Sequence, residues 1–149
     1  MAGLVQDATG NDLTYRIIGA AMAVHNGIGP GYKEEVYERA LAIELERRQI
    51  AARRQVPVEV QYEGAPVALF YLDIFVEQRV VVEVKALNHA MTGDELAQVI
   101  NYLKATGASV GLLLNFGRRR LEYKRVFPGG ASPAPQRLGR DNVRRPGSV

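Results

Sequence analysis

The chain has 149 residues, enough for one domain around one core, with 47% apolar and 23% charged residues, an ordinary balance for a globular protein. It has no cysteine and only two histidines. That excludes disulfides, thiolate catalysis and cysteine zinc sites, and leaves oxygen atoms as the expected ligands of any metal.

The net charge of +3 conceals an asymmetry. Residues 1–115 carry 10 Lys and Arg against 14 Asp and Glu, whereas residues 116–149 carry 9 against 2. A basic end on a mildly acidic body suits delivery of a polyanion to an acidic site, or simply a solvated tail. No apolar run approaches the roughly 20 residues that cross a bilayer. The opening MAGLVQDATGND has neither the basic region nor the apolar stretch of a secretory signal. A cytoplasmic protein with no membrane partner is expected.

The first helix is predicted from Asn11 or Asp12, either a good N-cap. Leu13, Ile17, Ala21 and Val24 then recur at helical spacing until NGIGPG. A second helix is predicted from about Lys33 to Gln49, with Val36, Ala40, Leu41 and Leu45 as its apolar side. From Val56 the period becomes two: VPVEVQY reads as a strand, EGAP as a turn, and YLDIFVEQRVVVEVK as a hairpin. A third helix follows, with Thr92 and Glu95 as a capping box and Gly107 as its stop. ASVGLLLNF is a buried strand by its continuous apolarity, and LEYKRVF a candidate edge strand. The domain is expected at 1–127, and a basic, Pro- and Gly-rich tail too poor in apolar residues to fold at 128–149.

The hairpin carries Asp73, Glu83 and Lys85 in a run otherwise rich in Val and Ile, and each is costly to bury alone. Alternation turns Glu83 and Lys85 to one face. Asp73 joins them opposite Glu83 if Glu77, Gln78 and Arg79 form the loop. It turns away if the loop has two residues, and no Gly or Asn marks the turn type. Two bare carboxylates repel, whereas a divalent cation such as Mg²⁺ accepts such a pair together with waters and phosphate oxygens. A lysine beside it would stabilise an attacking hydroxide or the charge developing on phosphorus. The plain alternative is a half-exposed strand whose acid and base pair across the surface.

On the third helix, Leu96, Val99, Ile100 and Leu103 form the apolar stripe. Gln98 and Tyr102, four apart, share a separate flank suited to a phosphate or base. Gly31, Glu34 and Tyr37 form G-x-x-E-x-x-Y at the second helix start, where the dipole alone favours an acid. His25 reads either as a half-buried structural histidine or as a phosphate contact.

Together, VHNGIGPGYKEEVYERAL, QVPVEVQYEG, LDIFVEQRVVVEVKAL, AQVINYLKATG and GLLLNFG resemble the GxxExxY family, a branch of the PD-(D/E)xK nuclease superfamily. The likeness covers about residues 12–127. It implies an α/β fold with a restriction-endonuclease-like core, a central mixed sheet flanked by helices. It also implies a metal held by Glu34, Asp73, Glu83 and the carbonyl of Val84, with Lys85 as the catalytic base or water-positioning group. His25, Tyr37, Gln98 and Tyr102 would contact substrate. One departure is that Leu72, not proline, precedes Asp73. The reading is a Mg²⁺- or Mn²⁺-dependent nuclease acting on nucleic acid, DNA before RNA. Its rivals are a non-catalytic nucleic-acid-binding module and a protein-interaction adaptor. Edge strands and small size also leave room for a homodimer.

Overall fold

Each predicted helix and strand forms, but the first strand begins at Ala52 instead of Val56, and the second already at Ala65, inside the expected EGAP turn. The computed structural model describes residues 11–130, so the basic segment beyond Gly130 and the first ten residues lie outside it. The elements run α1 (Asn11–Ile28), α2 (Glu34–Arg47), β1 (Ala52–Tyr62), β2 (Ala65–Val76), β3 (Val80–Lys85), α3 (Gly93–Thr106), β4 (Val110–Asn115) and β5 (Glu122–Val126). A single 3-10 turn at Pro128–Gly130 follows.

The stripe of α1 is buried as its spacing predicts: Leu13, Ile17, Ala21 and Val24 all pack inward. In α2 the buried side is Tyr37, Glu38, Leu41 and Leu45, so the helix is turned by about one residue from the expected face. Val36, expected to pack, is 39% exposed. An acidic side chain in the core position is unusual, and its partners are described below.

The five strands form one mixed sheet in the order β1-β2-β3-β4-β5. β1 and β2 are a long hairpin closed at Glu63 and Gly64, both at positive φ, as a tight two-residue turn requires. β3 and β4 are parallel, Val80 opposite Val110 through Lys85 opposite Asn115, and α3 provides the crossover. β5 returns antiparallel to β4. Both β3 and β4 are buried along almost their whole length, which accounts for their unbroken apolar composition.

The side chains of Val80, Val82, Val84, Leu112 and Leu114 join α1 and α2 in one core cluster. Val81 and Leu113 face the other way and join Val99, Tyr102 and Leu103 of α3 in a second. Helix α3 begins with both hydrogen bonds of the capping box between Thr92 and Glu95 and ends at Gly107 in the left-handed conformation. Gly111 is required by packing: a Cβ there would collide with Val99 of α3.

Candidate functional site

The ladder between β2 and β3 is short, pairing Ile74 with Val82, Phe75 with Val81 and Val76 with Val80. This register requires the three-residue loop Glu77, Gln78 and Arg79. Glu77 and Gln78 adopt positive φ, and the Arg79 N–H donates to the Val76 carbonyl at 2.9 Å. The open question of loop length is thereby answered, and Asp73 falls opposite Glu83.

There the ladder ends and side chains replace it. The Val84 N–H donates to Asp73 Oδ2 at 2.8 Å, and the Asp73 N–H donates to Glu83 Oε2 at 3.3 Å. A fork in the sheet therefore holds two carboxylates, each taking a backbone donor that a longer ladder would have used.

Burial dominates their electrostatics. Glu83 is only 4% exposed, and its carboxyl is pushed up to about 8, first by burial and then by the Asp73 charge. Asp73 is also raised, mainly by burial, with Glu38 and Glu34 adding repulsion. The Val84 N–H and Lys85 oppose the shift without cancelling it. Near neutral pH the pair therefore retains a proton.

Helix α3 completes the wall. Lys85 Nζ donates to Gln98 Oε1 at 3.2 Å, and Gln98 Nε2 donates to the Tyr102 hydroxyl at 3.1 Å. The i, i+4 spacing of Gln98 and Tyr102 makes this relay, in which donation runs from the lysine into the helix. The Tyr102 ring lies in the second core cluster, 5.9 Å from the Phe70 ring, so only its hydroxyl edge serves the relay. Burial, then the nearby Glu83 charge, raises the Tyr102 hydroxyl above its ordinary range.

The other expected residues are dispersed. Glu34 is exposed in the first turn of α2 and reaches Asp73 through its field alone, with no hydrogen bond to the hairpin. Tyr37 is fully buried. Its hydroxyl donates to the Gly29 carbonyl at 2.6 Å and accepts from the Tyr32 N–H at 3.1 Å, while its ring stacks on Phe116 at 4.8 Å. It braces the loop before α2 and presents no surface to a substrate. His25 is buried too, with Nε2 2.8 Å from the Arg118 carbonyl, tying the end of α1 to the loop after β4.

Two features escaped the sequence reading. Glu38, 5% exposed, accepts from Arg54 Nε at 2.9 Å and from Gln55 Nε2 at 3.0 and 3.1 Å. Its spacing of four from Glu34 was the available signal. Gln55, in the strand yet at positive φ, turns its amide to that carboxylate. Asn115 is the second: its Oδ1 accepts from the N–H groups of Leu87 and Gly117, and its Nδ2 donates to Glu122 and to the His89 carbonyl. This clamps the segment that follows Lys85.

Among the described residues no three His, Asp or Glu side chains gather closely enough to form a metal cluster by themselves. The donor set nonetheless fits a hard divalent cation, which accepts two carboxylates with the remaining positions filled by water and substrate.

A mixed five-stranded sheet between three helices, forked at an Asp and carrying Glu-x-Lys on the next strand, defines the restriction-endonuclease-like class. The chain belongs to the PD-(D/E)XK nuclease superfamily, whose pattern it matches over residues 11–126. That superfamily consists generally of nucleases that use divalent metals. No curated protein is significantly similar in sequence. The crystal structure of SSO0001 is similar in fold, with a TM-score of 0.50 and 16% identity over 63% of this chain and 49% of that one. The chain thus spans about half the length of that protein.

Proposed function

We propose that the protein is a Mg²⁺- or Mn²⁺-dependent nuclease of the GxxExxY branch that hydrolyses phosphodiester bonds, with DNA as its substrate in the cytoplasm. The fork supports this reading above all: Asp73 and Glu83 are linked by backbone donors while Lys85 is steadied from α3. Asp73 and Glu83 would hold the cation, with the Val84 carbonyl as a further oxygen. A bound cation would polarise the scissile phosphate and lower the pKa of a coordinated water.

The chain's own groups do the rest. Lys85 has three N–H donors, and one is used by Gln98, so the others are available to an attacking water or a phosphate oxygen. Gln98, itself bonded to Tyr102, anchors the ammonium against α3. Glu34 contributes negative potential at the rim and tunes Asp73. The exposed Arg119 and Arg120, on the loop after β4, are suited to phosphates further along a strand. β1 is an edge strand, so pairing of two chains there is tested by light scattering.

Calorimetric titration of Mn²⁺ into the wild type and Glu83→Ala tests the reading first. Saturable binding lost in the variant, followed by metal-dependent cleavage of DNA, is the expected result. Nucleic-acid binding that survives EDTA, with no cleavage under any metal, would instead establish a non-catalytic binding module.

A further inference from the structure

A cationic site lies on the face of the sheet opposite the carboxylate fork. Glu83 pairs with Leu113, whose side chain belongs to the α3 cluster, whereas Arg125 pairs with Leu112, whose side chain faces α1 and α2. Residues directly opposite one another share a face, so Glu83 and Arg125 point to opposite sides. On the Arg125 side, between α1, the end of α2 and β5, is a cavity of about 580 Å³. That is within the range that small-molecule sites occupy.

Among the described residues its lining carries three arginines, Arg16, Arg48 and Arg125, and no acid. Arg48 is paired with Glu44 at 2.8 Å, outside the lining. Arg16 and Arg125 are half-buried, and neither forms an ion pair among the described residues. Among the described residues the Arg125 guanidinium donates from Nε to Thr14 Oγ1 at 2.7 Å. A neutral hydroxyl does not offset a desolvated cation, and burial correspondingly lowers the guanidinium's affinity for its proton. Tyr15 and Tyr123, both exposed, also line the cavity.

We propose that the cavity bounded by Arg16, Arg48 and Arg125 binds a phosphomonoester, with the attached base against Tyr15 or Tyr123. Guanidinium groups match phosphate oxygens in pairs, and a dianion supplies the charge that two of these arginines lack. Stacking on an aromatic ring adds affinity without demanding one base. The ligand is either a free nucleotide or the phosphorylated end of a strand, which share this chemistry.

The experiment is metal-free calorimetry on the full chain, so that the carboxylate fork contributes nothing and the nuclease reading is not at stake. The probes are inorganic phosphate, AMP, and one short DNA oligomer with and without its 5′-phosphate. AMP and the phosphorylated oligomer should bind saturably, and the unphosphorylated oligomer more weakly by about tenfold or more. Arg16→Gln should weaken AMP by a similar factor while circular dichroism stays unchanged. Tyr15→Ala, at an exposed position, should weaken AMP but not inorganic phosphate. Comparable AMP and oligomer affinities would identify the phosphomonoester itself as the ligand, and a much tighter oligomer a strand end. Absence of saturable binding by every probe, indifference to the 5′-phosphate, or unaltered affinity in Arg16→Gln would overturn the proposal.

Discussion

Two glutamates of this protein are almost equally buried, Glu38 at 5% and Glu83 at 4% exposure, and they are treated in opposite ways. Glu38 has a guanidinium at 2.9 Å and an amide donating to both oxygens. Glu83 has one long backbone bond and, as its nearest charged neighbour, another carboxylate. The first is a closed account of charge. The second has no cationic partner among the described residues, and under the proposed function a divalent cation would fill that role.

The largest effect expected from breaking this contrast is on chemistry. Lys85→Ala should lower cleavage by roughly 10²–10³-fold, the scale on which a directed charge-stabilising donor acts, without changing the circular dichroism spectrum. Wild-type turnover in that variant removes Lys85 from the mechanism. Next, Arg54→Ala should leave Glu38 buried and uncompensated, costing about 3 kcal/mol of stability in urea denaturation. The same assay on Glu83→Gln without metal should show no loss, because the amide keeps the shape of a carboxyl that already holds its proton in the folded state near neutral pH.

The pH dependence sharpens the comparison further. In the unfolded chain Glu83 releases its proton near its ordinary 4.5, whereas folded it keeps it up to about 8. Between those values the folded state binds more protons, so metal-free stability should fall as pH rises from about 4.5 to about 8. Saturating Mn²⁺ should flatten the slope, and calorimetry in buffers of different ionisation enthalpy should detect proton release on binding. Glu83→Gln should remove both effects. A slope that persists in the variant would show that other groups cause it.

The smallest effect belongs to the relay. Tyr102→Phe keeps the ring against Phe70 and deletes only the acceptor of Gln98 Nε2. Stability should change by about 1 kcal/mol or less, and kcat should fall several-fold while KM holds.

Much of the fold was legible because it rests on local rules. The apolar period of α1, the capping box of Thr92 and Glu95, the left-handed stop at Gly107 and the continuous apolarity of β4 each follow from neighbours in the chain. The pattern of Asp73, Glu83 and Lys85 also stood out, since charges in a Val-rich hairpin need a reason.

What lay beyond the sequence was every decision involving distant partners. Whether Asp73 met Glu83 hung on a three-residue loop in which Glu77 and Gln78, neither a glycine, take positive φ. Tyr37 and Glu34 share one motif, yet the turn of α2 against the sheet buries the first and exposes the second. The same rotation carries Glu38 to Arg54 and Gln55 and leaves Val36 outside. Periodicity states which side chains share a helix face, and the sequence determined that much, together with the order of elements and the acidic hairpin. Which face turns inward, and which charges find a partner there, only the tertiary structure decided, because the compensating groups come from other strands.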